Sequence, residues 1–306
     1  MSNPITRRAM LGGTAALVAA STVKAQPKPP FEPFGLCLNT STVRDNGKHR
    51  KIEDLIDIAA KAGYGAIEPW IAELDEYVKR GESLAALKRR IEDAGLRVPS
   101  AIGFAEWIIE DETRRKKALE TAKRDMEWVR EIGGVRLAAP PIGATKDPLP
   151  DLMAAADRYR VLLELGLSLG VTPEVEVWGF SKTLKRLGEA WLIASECGIA
   201  GGCVLPDIYH LYKGGSDFVG LNLLAPSAIG IFHVNDYPKI DRAKINDADR
   251  VYPGDGVAPL HDIFKSLKSI GYTGFLSVEL FNKEYWKQDG LHVAKTALEK
   301  LKKVVG

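Results

Sequence analysis

From Phe34 to the C-terminus one rhythm runs through the chain. A short apolar run is followed by a longer segment with apolar residues at helical spacing, then by a glycine, and the unit repeats. Segments 34–38, 65–69, 97–102, 135–139, 172–178, 202–207, 229–234 and 274–280 read as strands. Between them, Ile52, Leu55, Ile56 and Ala59 mark a first helix ended by Gly63. Segments 84–94, 111–132, 152–170, 184–197, 218–224, 259–270 and 291–304 read as the others, with Asp111 opening and Asp151 capping two of them. Strands that alternate with helices pair in parallel. Eight such units, at about thirty-residue steps, predict a closed (β/α)8 TIM barrel, a single domain over 34–306. A doubly wound open sheet is the alternative. It would place a Gly-rich turn after its first strand, where this chain has Asn39-Thr40-Ser41-Thr42.

Chemistry in such a barrel gathers at the C-terminal strand ends. There the sequence sets Glu68, Glu176, Asp207, His233 and Glu279. Glu174 and Glu176 share one side of their strand, because a strand has period two. Glu174, one pleat deeper, reads as a buried structural acid facing Arg136. Glu176, Asp207 and Glu279 converge with His233 on one side of the mouth, and three carboxylates repel one another there. The second half offers no basic residue at a strand end to balance them. One divalent cation removes the conflict, and the oxygen-rich donor set suits Mn2+, with Co2+, Mg2+ or Fe2+ as alternatives. Zn2+ also fits, although it prefers more nitrogen or sulfur.

Glu-x-Trp at 176–178, Asp-x-x-His at 207–210, His-Val-Asn-Asp at 233–236 and Val-Glu at 278–279 together resemble the xylose isomerase-like barrel superfamily. The four donors stand 31, 26 and 46 residues apart by subtraction. Within the superfamily the match is to sugar isomerases and epimerases, including the inosose dehydratase and 3-keto-sugar epimerase branches. The resemblance implies Glu176, Asp207, His233 and Glu279 as metal ligands. Glu176 and Glu279 are then expected to face each other across the metal as the catalytic pair, one removing a proton and the other returning it. It implies His210 and the loop opened by Arg250 as substrate contacts. Arg250 alternatively serves a loop carboxylate such as Asp255, and His210 a helix start. Glu68 is expected to hold a substrate hydroxyl. Asp236 is expected to bind a hydroxyl, to orient His233 or to cap a turn. Trp107 and Trp178 are expected to wall a sugar ring or to pack in the core. Hydride-shift isomerases of the superfamily carry Lys two residues after the Glu of the fifth strand. Trp178 stands there, so proton transfer through an enediolate is expected, giving epimerisation, isomerisation or elimination. The partner is a small unphosphorylated carbohydrate, since no phosphate cradle is evident. An exported sugar- or metal-binding protein without catalysis is a further alternative. Homo-oligomers are common in the resembled families.

The N-terminus adds an address. Arg7-Arg8, a Gly- and Ala-rich apolar run and Val23-Lys24-Ala25 make residues 1–25 a twin-arginine signal peptide, with a Pro-rich linker at 26–33. An ordinary secretory signal or an uncleaved anchor is the alternative. The expected partner is then the twin-arginine export machinery and the expected location the periplasm. A net charge of +2 and the lack of a basic tract argue against nucleic acid, and no apolar run after residue 30 spans a membrane. Five histidines are too few for a trinuclear zinc nuclease of the same superfamily, and three cysteines do not make a disulfide framework.

Overall fold

The computed structural model describes residues 34–149 and 151–306; the expected signal and linker lie outside the described residues. Among the described residues the strands are β1 Gly35–Asn39, β2 Ala66–Glu68, β3 Arg136–Ala139, β4 Thr172–Glu176, β5 Val204–Leu205, β6 Phe232–Val234 and β7 Phe275–Val278. All pair in parallel, in the orders β2-β1-β7-β6 and β3-β4-β5. Two seams join these sheets. On one side, segment 97–102 lies between β2 and β3, with Ile67 N–H donating to Arg97 O at 2.9 Å and Ala138 N–H to Ala101 O at 2.9 Å. On the other, Gly230 N–H donates to Val204 O and His233 N–H to Pro206 O, each at 3.0 Å. The sheet is therefore a closed barrel. The expected third strand survives only as isolated bridges, Ala66 to Arg97 and Trp70 to Ile102. Pro99 sits in its middle and has no N–H to give a ladder.

The helices are α1 Ile52–Ala62, α2 Ile71–Lys79, α3 Leu84–Asp93, α4 Glu112–Glu131, α5 Leu152–Leu169, α6 Leu187–Glu196, α7 Ile208–Gly214, α8 Leu260–Ser269 and α9 Gly290–Val305. Asp111 and Asp151 accept backbone N–H groups at the starts of α4 and α5, as expected of caps. Two helices were not expected. In α2, Ile71, Leu74 and Tyr77 are buried, and Glu73 accepts the Trp70 N–H at 3.0 Å to close its first turn. Helix α7 has only seven residues, too few to show a period. The stretch expected to be helical at 218–224 is a 3-10 turn, Phe218–Leu223.

Cys37, Ala66, Ile102, Ala138, Leu205 and Ile231 form a small buried layer supplied by neighbouring strands. Cys37 and Ala66 stand two residues before Asn39 and Glu68, so the layer lies one pleat below the polar mouth. Beneath that mouth the barrel is plugged by this layer. No helix among the described residues is long and apolar enough to cross a membrane.

Candidate metal centre

Asp207 ends the run of β5, His233 lies in β6 and Glu279 directly follows β7. A bridge places Asp207 opposite His233, and Glu279 N–H donates to Val234 O at 3.1 Å, so the ladder itself draws the three together. One ligand atom from each falls within 4.8 Å of the other two. Glu176, at the end of β4, lines a cavity together with Glu279 but lies outside that cluster of three. All four side chains are buried.

The donor chemistry fits a cation. His233 Nε2 lies 3.0 Å from Glu68 Oε2, which also accepts from Ser277 Oγ at 2.7 Å and Asn39 Nδ2 at 2.9 Å. That carboxylate holds an imidazole proton at Nε2 and turns Nδ1 toward the acids. Nδ1 stands 3.3 Å from Glu279 Oε2 and 3.8 Å from Asp207 Oδ2, with no hydrogen-bond partner. Glu176 Oε2 is likewise buried and unpartnered. Burial disfavours a charged imidazole, but Glu68 and Glu279 outweigh it and raise His233 well above its usual range, so a proton sits at this point when no metal is bound. A divalent ion would displace that proton and take the Nδ1 lone pair with the Asp207 and Glu279 oxygens.

One expectation needs correction here. The second half does supply a buried cation: Arg250, fully buried, reaches in from the loop after β6. Its Nη1 donates to Asp207 Oδ2 at 3.0 Å and to Glu279 Oε2 at 2.9 Å. Its Nη2 donates to Asp247 at 2.6 Å and lies 3.1 Å from His210 Nε2. Arg250 therefore serves the centre rather than Asp255, which pairs with Lys300. Arg250 and the His233 imidazole still face four buried carboxyl groups, those of Glu68, Glu176, Asp207 and Glu279, so acids outnumber bases in the centre. The acids respond unequally. Burial, reinforced by the Glu279 charge, pushes the Glu176 carboxyl up to about 8. Burial also disfavours the Glu279 carboxylate, but His233 and Arg250 outweigh it and hold that group below the usual carboxylate range. Without a metal, the two carboxyls therefore differ in their hold on a proton.

Of the remaining expected residues, His210 and Trp178 line the cavity. Burial, helped by Arg250, lowers the His210 imidazole to about 3, so it is neutral and suited to hydrogen bonding. Its backbone N–H donates to Asp207 Oδ1 at 2.7 Å, so the ligand acid also caps α7. Three substrate assignments are corrected. Glu68 is fully buried, and its oxygens are engaged by His233, Asn39 and Ser277, which leaves nothing for a hydroxyl. Asp236 spends both oxygens on backbone N–H groups of Tyr237, Gly254, Gly256 and Ala258, so it organises the loop after β6. Trp107 is 1% exposed, packs on Tyr159 and donates to Pro140 O at 3.0 Å, in the core. Glu174 lies 3.8 Å from Arg136 and accepts the Ile231 N–H at 2.7 Å, as a structural acid should.

Two residues escaped the sequence reading. Asn39, the last residue of β1, donates to Glu68 at 2.9 Å and to Glu279 at 3.2 Å, and accepts the Trp70 indole N–H at 3.0 Å. Asn235 donates to Asp207 Oδ2 at 2.8 Å and accepts the Tyr209 N–H at 2.8 Å. The strand-end rule that found the acids would have found Asn39. Asn235 carries no separate signal.

A closed parallel barrel with acids and an imidazole gathered at its C-terminal mouth defines a recognisable class, and the profile of the xylose isomerase-like TIM barrel family matches residues 56–304. The chain belongs to that family. It is 27% identical over 274 residues to an inosose isomerase of Bacillus velezensis, covering 88% of this chain and 96% of the relative. A 3-dehydroshikimate dehydratase of Pseudomonas aeruginosa is 24% identical over 247 residues, covering 80% of this chain and 37% of that longer protein. Among solved structures, the crystal structure of the IolI protein with a zinc atom superposes with a TM-score of 0.81 at 24% identity, covering 89% and 98% of the two chains.

Proposed function

We propose that this protein is a divalent-metal-dependent isomerase or epimerase of an unphosphorylated keto-sugar or related polyol, working by proton transfer. The observation that carries the reading is the convergence of Asp207, His233 and Glu279 within 4.8 Å, with a partnerless His233 Nδ1 among them. Glu176 completes the set of residues that would hold the cation. A cation bound there, Mn2+ first among the candidates, supplies Lewis-acid stabilisation of negative charge developing on the substrate's carbonyl oxygen. The relatives support the coarser activity, since they bear the names of an isomerase, a dehydratase and an epimerase acting on keto compounds.

The chain's own groups do the rest. Glu279, paired with Arg250, takes the proton from the carbon beside the carbonyl. Glu176 returns a proton on the other face. Arg250 and neutral His210 lie beside these acids and orient substrate oxygens. Return of the proton to carbon gives epimerisation or isomerisation. Donation to a departing hydroxyl gives elimination, the second reading, which the dehydratase relative favours. The proposal includes export: the paired Arg7-Arg8 and the apolar run after them suit a pathway that carries folded, metal-loaded proteins into the periplasm.

The test is hydrogen exchange. Inososes, ketohexoses and 3-keto-glycosides are incubated with Mn2+-loaded protein in D2O and followed by NMR. The expected result is loss of one C–H signal, abolished by chelation and slowed about 10²–10⁴-fold by Glu279→Gln. Binding of these sugars with no exchange under any of the candidate cations would leave the protein a sugar binder rather than an enzyme.

A further inference from the structure

The cavity that holds Glu176 and Glu279 has a volume of about 250 Å³, and its walls are unusually aromatic. Phe281, Trp70, Phe104, Trp178 and Phe180 form one continuous arc, with successive ring centroids 6.0, 5.1, 6.3 and 5.0 Å apart. The arc is supplied by loops after β7, β2, segment 97–102 and β4, and all five rings line the cavity. Its inner members are only half-buried, as a wall facing a ligand should be. Phe104 and Phe180 are 39% and 46% exposed and flank Trp178 at the mouth.

A metal-binding floor requires a polar ligand, but it does not require exposed phenyl rings above it. Chelation of a small polyol would engage oxygens at the floor and leave Phe104 and Phe180 in water. Exposed aromatic surface contiguous with a polar cavity marks a place where apolar ligand surface is buried. Planar rings meet phenyl and indole faces in offset or tilted stacks at centroid separations of about 4.5–7 Å, the spacing the arc itself already shows.

We infer that the ligand has two parts: a keto-sugar head over the acids, and a flat aromatic substituent held at the mouth by Phe104, Trp178 and Phe180. In chemical terms the site takes an aryl glycoside oxidised on its sugar ring. This rests on the keto-sugar reading above and narrows it to a substrate class. The reaction that supplies such a substrate is oxidation of a ring hydroxyl of an intact glycoside, with a two-electron acceptor taking the hydride.

The probes are methyl and phenyl 3-keto-β-D-glucosides, with binding to the full Mn2+-loaded protein measured by calorimetry. The phenyl compound is expected to bind about tenfold more tightly. That ratio is expected to fall towards one in Phe104→Ala and Phe180→Ala, and to survive in Phe180→Tyr, which keeps the ring. Circular dichroism confirms that each variant is folded. Equal affinity for the two glucosides, no binding of either, or a ratio unchanged in both alanine variants would each overturn the inference. The D2O exchange experiment separates the two readings. Tight aryl binding without exchange removes the enzymatic reading and keeps the subsite. Exchange without aryl preference does the reverse.

Discussion

Glu174 and Glu176 lie two residues apart on β4, and their different surroundings lead to a measurable contrast. Glu174 is fully buried below the mouth. One oxygen accepts the Ile231 N–H at 2.7 Å, the other has no partner, and Arg136 stands 3.8 Å away. Burial outweighs Arg136 and raises its pKa from 4.5 to about 7. In the folded protein the acid thus keeps its proton over a range where the unfolded chain has lost it. Stability therefore falls as pH rises from about 4.5 to about 7 and levels off above. At about 1.36 kcal/mol per pH unit the loss is about 3 kcal/mol, a substantial share of a domain's stability. Glu174→Gln cannot ionise, keeps an oxygen for Ile231 and is close to isosteric. Equilibrium urea denaturation of both proteins at intervals from pH 4 to pH 8.5, with chelator present to keep the metal centre constant, reads the difference. The variant is expected to gain about 3 kcal/mol relative to the parent between the two ends. Parallel stability curves would refute the claim that Glu174 is buried as an acid. A variant that loses stability with rising pH would show that Arg136 holds it as a carboxylate.

Two further outcomes follow from the same geometry. Glu68→Gln removes the negative charge that draws the His233 proton to Nε2, so Mn2+ affinity, read by electron paramagnetic resonance, should fall about 10–100-fold while the fold persists. Asp236→Ala should cost about 2–4 kcal/mol in urea denaturation and raise protease sensitivity near residues 254–258, because four backbone N–H groups lose their acceptor. An Asp236→Ala protein as stable as the parent would return Asp236 to the role of a substrate contact.

The barrel was legible because its signal is local and repeated: each strand and helix carries its own periodicity, and eight repeats leave few other ways to close a sheet. The meeting of Asp207, His233 and Glu279 was legible for the same reason, since each ends an apolar run and the fold rule says where such ends meet; Glu176, expected with them, lies outside that cluster. The break in the third strand at Pro99 and the short α7 were not, because six or seven residues carry too little period to outweigh a proline or a cap.

What the sequence determined by itself was the list of charged groups that must share one mouth. What only the tertiary structure decided was how each is employed. Glu68, Asp236 and Trp107 are residue types that bind sugars, and their positions in the chain allowed it. Glu68 was taken by His233, Asp236 by four amides and Trp107 by the core. Arg250, some 29 residues before Glu279 in the chain, became the cation between two acids only once the loop after β6 folded back over the barrel. Hydrogen-bond partnership depends on distances between residues far apart in sequence, and no local pattern records which of several nearby donors reaches a given oxygen first.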